Sequence, residues 1–219
     1  MIAARLRKQV ATRDEGFSLI ELIVAMGIFI IFVSLFLGAV VGLARGTTRA
    51  QVSAEATGGV IILFQNIDRQ VRYADGINNP GTSSGKTYVE FRTPAASAPS
   101  RVTTCTQWRY DPDKAIIESR TWDDTASSVA KPWSVKLTSV EPDAAAGYPF
   151  AMVPVGTAGS TKQQFVLTVR AGNSSAGAAT NISSSFFAKN THSGSPGNAV
   201  DAAGVSTNPV CQRTGGTRP

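Results

Sequence analysis

The chain has 219 residues, 16% of them charged, and 21 Lys and Arg against 15 Asp and Glu leave it at +6. So mild an excess, with no long basic run, does not by itself call for nucleic acid. Two cysteines and a single histidine, His192, make a poor ligand set for zinc, and no cofactor or metal is expected.

Residues 1–16 form a short charged leader, with Arg5, Arg7, Lys8 and Arg13 against Asp14 and Glu15, and the leader ends in Gly16. An apolar run begins at once: among the 27 residues from Phe17 to Leu43 the only ionisable one is Glu21. That length is enough to span a bilayer as a helix. A carboxylate inside such a run costs roughly 2.5–3.5 kcal/mol near a bilayer centre, so Glu21 calls for a role. A secretory signal would have a shorter apolar core and a small-x-small site beyond it. A plain single-pass anchor fits the hydropathy and leaves Glu21 without a task. The basic leader, set against Arg45 and Arg49 after the run, favours a cytoplasmic N-terminus with the remainder outside.

The stretch Gly16-Phe17-Ser18-Leu19-Ile20-Glu21-Leu22 resembles the processing and methylation motif of type IV pilins and type II secretion pseudopilins. The resemblance implies that a prepilin peptidase cuts between Gly16 and Phe17 and N-methylates Phe17, leaving side chains of net charge +4 (17 Lys and Arg less 13 Asp and Glu). It implies other pilin or pseudopilin subunits as partners, together with membrane lipid and an inner-membrane assembly platform driven by a cytoplasmic ATPase. Glu21, one turn past the new amine, faces the positive end of the helix dipole. In a bundle it would pair with a neighbour's Phe17 ammonium and set subunit register, as one buried polar group does in a coiled coil.

The helix is expected to run on past the membrane-length segment (17–43) through residues 44–75. The segment 47–57 is polar and lacks proline, and Phe64, Ile67, Val71 and Ala74 share one helical face before Asp75-Gly76 reads as a stop. Gly58-Gly59 is a point where a kink or break is expected to be easiest. Gly38, Gly42 and Gly46 recur at intervals of four, a small-residue face on which another membrane helix could pack, though glycine is common in such helices anyway. Many major pilins carry a proline near the position of Gly38, and this chain departs from them there.

Residues 76–219 read as an exported head rich in β-strand, its C-terminal part rich in loops. Alternation marks strands at 87–92, 102–110 and 115–122, the last two flanking the turn Asp111-Pro112-Asp113-Lys114, where proline presets φ. Further strands are expected at 133–137, 150–155, 165–170 and 182–188, with 172–206 otherwise mostly loop. One long helix followed by consecutive strands predicts an α+β fold, residues 60–74 covering one face of an antiparallel sheet. The order of these parts is loosely similar to J-type minor pseudopilins and related minor pilins. Cys105 and Cys211 lie on the exported side, where an even count favours a disulfide.

Asp111 and Asp113, or Asp123 and Asp124, read as solvated turn acids rather than a catalytic pair, and no spaced run of oxygen ligands marks a calcium loop. Asn173-Ser174-Ser175 and Asn181-Ile182-Ser183 match the glycosylation sequon, which is frequent by chance. Phosphate-cradling loops and nucleophile elbows are absent from the sequence, so a non-enzymatic structural subunit is expected. A competing reading makes the head a binding module. In it, Trp108, Trp122 and Trp133 with Arg109 and Arg120 form an aromatic and basic platform for single-stranded DNA. The same tryptophans would equally serve as core residues of a small sheet.

Overall fold

A computed structural model describes residues 18–125, 127–202, 204 and 206–211. The fold is α+β. One helix, α1 (Leu19–Arg72), is followed by antiparallel strands. No proline occurs before Pro80, so nothing in the sequence interrupts the backbone ladder of α1. The helix continues through Gly58 and Gly59 without a break. It ends at Arg72, two residues short of Ala74, with Arg69 and Arg72 in the last turn, where cations complement the dipole. Orphan carbonyls at this end find donors from far along the chain: Lys189 N–H reaches Arg72 O at 3.1 Å and Asn190 Nδ2 reaches Tyr73 O at 2.9 Å.

The chain divides into two compact units, one up to Thr47 and one from Thr48 onward. In the first, α1 is long and apolar enough to cross a membrane, and Leu19 through Leu43 leave large apolar side chains exposed.

The second unit is the head. A six-stranded sheet contains β1 (Gly76–Ile77), β2 (Gly81–Ser83), β3 (Lys86–Thr93), β4 (Thr104–Asp111), β5 (Ile116–Asp123) and β6 (Ser134–Leu137). Its order is β1-β3-β4-β5-β6, and β2 also pairs with β3. A second sheet, ordered β7-β8-β9, holds β7 (Phe150–Val153), β8 (Gln164–Asn173) and β9 (Ala178–Phe187). Two sheets therefore stand where a single one was expected, and β9 begins four residues earlier than the sequence pattern indicated.

One core joins helix and sheets. Val60, Leu63, Ile67 and Val71 are fully buried with Val89, Phe91, Trp108 and Ile117 of the larger sheet and Phe150, Phe165, Leu167 and Val169 of the smaller. The buried stripe thus falls on Leu63 rather than Phe64, which is half-buried and meets Phe186 edge-on at 5.6 Å. Phe165 links the sheets, its ring centroid 6.4 Å from Phe91 and 5.8 Å from Phe150. Gly59 permits close approach of β6: a Cβ there would lie 2.9 Å from Leu137 Cδ1, whereas Gly58 faces open space.

The final segment returns over the residues that leave the helix. Val210 N–H donates to Asn78 Oδ1 at 3.1 Å, Asn79 N–H to Ser206 Oγ at 2.9 Å, and Asn79 Nδ2 to Gly204 O at 2.6 Å. Gly197, with φ of +77°, sits so close to Ile77 that a Cβ would be 2.0 Å from its carbonyl oxygen. Only glycine fits both the backbone conformation and the contact.

Candidate functional site

Gly16 and Phe17, the expected processing point, lie outside the described residues. The chain enters α1 directly after them: Ser18 O accepts the first helical bond, from Leu22 N–H at 3.1 Å, and Glu21 occupies the first turn. Its carboxylate is exposed, at the end where the helix dipole favours negative charge. Gly38, Gly42 and Gly46 are likewise exposed, and a Cβ at any of them would meet nothing within 4 Å.

In the head, the face of β3–β5 turned away from the helix carries a second constellation. The strands pair in register, so that Tyr88, Arg109 and Glu118 form one cross-strand row, and Glu90, Gln107 and Arg120 the next. Alternation places these polar residues on one face and Val89, Trp108 and Ser119 on the other. Yet the polar face is largely shielded from water. Glu90, Gln107 and Glu118 are buried, and burial of such groups demands partners. Glu90 receives Asn78 Nδ2 at 3.0 Å and Gln107 Nε2 at 2.8 Å, Gln107 Oε1 receives Arg120 Nε at 2.8 Å, and Arg109 Nε pairs with Glu118 at 2.6 Å. Arg92 forks onto Asp75, with both bonds at 3.0 Å, and lies 3.8 Å from Asp124.

Trp133, half-buried just before β6, covers this layer. The guanidinium carbons of Arg109 and Arg120 lie 4.1 and 4.4 Å from its ring centroid, and Tyr88 packs against it at 6.3 Å. Each such cation–π contact contributes about 0.5–2 kcal/mol, more where water is excluded. Burial works against the charge on Arg120, Glu90 supports it, Arg109 opposes it, and the net shift is downward.

These positions correct the DNA platform. Trp108 is fully buried on the helix-facing side, where its Nε1–H donates to Gln70 Oε1 at 3.0 Å. Trp122 is buried with Cys105, Val210 and Cys211 in a small second cluster. Trp133 meets both Arg109 and Arg120, which already engage its ring, and Arg120 also lies 5.8 Å from the centroid of the buried Trp122. The layer therefore acts as a clasp that holds the segment before β6 onto the sheet.

Cys105 and Cys211 form a disulfide, with Cα atoms 6.1 Å apart. Their sulfurs and a carboxylate oxygen of Asp124 lie within 4.8 Å of one another, but sulfurs bonded to each other offer no thiolate to a metal. The turn acids also depart from expectation. Asp111 is fully buried and pairs with Lys86 Nζ at 2.6 Å, while Asp124 faces Arg92. Burial pushes the Asp111 carboxyl up, but the Lys86 bond and charge, with help from Lys114, hold it below the ordinary range. His192 sits in its loop with Nδ1 accepting Gly194 N–H at 3.1 Å.

Sequence reasoning overlooked Asn78, Glu90 and Gln107. The signal was present in the polar alternation of three consecutive strands, whose register sets Glu90 beside Gln107 and Arg120. No family model, characterised protein or solved structure matches the chain.

Proposed function

We propose that this chain is a pilin-like structural subunit, processed at its leader and assembled into a membrane-derived filament through its N-terminal helix. The observation that carries the reading is the motif Gly16-Phe17-Ser18-Leu19-Ile20-Glu21, whose last three residues open a helix of 54 residues with a membrane-length apolar half. Glu21 supports it: a lone carboxylate in the first turn of an otherwise apolar segment is costly without a partner, and a neighbouring subunit's Phe17 amine supplies one. In this reading a prepilin peptidase cuts after Gly16, an inner-membrane platform with a cytoplasmic ATPase drives assembly, and the head is carried outside. The protein is a substrate of processing enzymes and not itself a catalyst.

The test is the N-terminal mass of the chain expressed with its native peptidase, beside Gly16→Ala and Glu21→Ala. The expected wild-type product begins at methylated Phe17. Glu21→Ala is expected to be cleaved normally and to fail in filament incorporation. A wild-type chain still carrying residues 1–16 overturns the proposal and leaves a single-pass anchored domain.

A further inference from the structure

Strand edges in the head are unequally guarded. β1 and β2 have two and three residues. β6 has four, carries Lys136, and meets a register shift against β5 at Ile117/Glu118. β7 has four, between Pro149 and Pro154. Shortness, charge, proline and irregularity are the usual means of keeping an edge from recruiting another strand.

β9 has none of them. It runs ten residues in unbroken register with β8, from Gln164↔Phe187 to Asn173↔Ala178, and no strand among the described residues pairs with its other side. Residues 171–188 contain no charge and no proline, and the nearest charges are Arg170 and Lys189. On the face of β9 away from the core stand Ala179, Asn181, Ser183 and Ser185, all small, and then Phe187, which is 51% exposed.

We infer that the free edge of β9 pairs antiparallel with β9 of a second copy of this chain, joining two three-stranded sheets into one of six. Three features select a second copy as occupant. An uncharged edge is best met by an uncharged strand of equal length, and β9 is itself such a strand. A twofold axis through Ser183 keeps side chains on matching faces. It sets Asn181 opposite the second copy's Ser185 and the large Phe187 over the small Ala179. Residues 179–187 are the ones that pair across the axis, and none of them is charged. The inference is independent of filament assembly and of leader processing.

The test uses the full chain in detergent micelles. Both native cysteines are in the disulfide, so an introduced one is the sole free thiol. Ser183→Cys, on the axis, is treated with a short bismaleimide beside Ser174→Cys, an exposed control beyond the strand. The expected result is a covalent dimer forming at least about tenfold faster at 183, and a rate cut about tenfold when Ser185→Lys adds a guard charge to the edge. Circular dichroism verifies that each variant is folded. Equal rates at 183 and 174, or a rate at 183 that Ser185→Lys leaves unchanged, overturn the inference. So does hydrogen-exchange protection of the β9 amides that arises only on adding a different protein, since the occupant is then another polypeptide.

Discussion

The bond between Cys105 and Cys211 closes a loop across 106 positions, from the middle of the larger sheet to the end of the described chain. In the chain-entropy account, closing a loop of this length removes about 16 cal/mol/K from the unfolded ensemble, or about 4.8 kcal/mol at 25 °C. The perturbation is reduction in denaturant, followed by refolding with the thiols kept reduced. Free thiols still fill the cluster with Trp122 and Val210, so the loss reports the cross-link more than the packing. For a unit of this size the expected fall in Tm is about 10–20 °C, read by circular dichroism or calorimetry. Both cysteines are buried, so without denaturant the bond is expected to resist mild reductant. A reduced head melting within about 3 °C of the oxidised one refutes the reasoning, because the unfolded chain would then gain little freedom on losing the bridge.

Gly58→Ala is expected to stabilise the helix by up to about 1 kcal/mol, since the site is open, and Gly59→Ala to lose that gain against Leu137 Cδ1. Denaturant midpoints for the two variants check this, and equal stabilisation counts against the close packing of β6. Asp111 titrates below its ordinary value, so its contribution is present above about pH 4 and lost as pH falls through the folded value. Asp111→Asn should therefore be less stable than wild type at pH 7 and converge with it as the pH falls through the folded value of Asp111. A constant gap in Tm across that range contradicts the assignment to charge.

Much of the architecture was legible where local chemistry is strong. The proline-free run forms α1, and Pro112 with flanking aspartates joins β4 to β5 as the pattern predicts. Other parts were hidden for physical reasons. Ser, Ala and Gly dominate 171–185, so β9 looks like loop until β8 is there to pair with it. Glycine at 172 belongs to the same pairing, for a Cβ there would meet Ala178 O at 2.3 Å. The polar face of β3–β5 looks like a solvent face because alternation distinguishes two sides and not what covers them. Nothing near Glu90 in sequence announces that Asn78 and Gln107 bond to it, or that Val210 of the distant tail in turn bonds Asn78. Trp108 and Trp133 are alike in composition and opposite in place, which only strand register decides.

The returning tail gives the head a mechanical character. β1 offers just two residues of pairing, and a ladder so short, pulled from its helix end, would peel open one bond at a time. The returning residues 197–202, 204 and 206–211 alter that geometry. Tension entering at Ile77 to Asn79 is shared at once among the bonds to Ser206, Gly204 and Val210 and, through the covalent bridge, with β4 at the centre of the sheet. Rupture then requires several bonds to shear together, and forced unfolding is governed by that barrier rather than by equilibrium stability. Fastened in this way, the unit resists unfolding when it is pulled from its helix end.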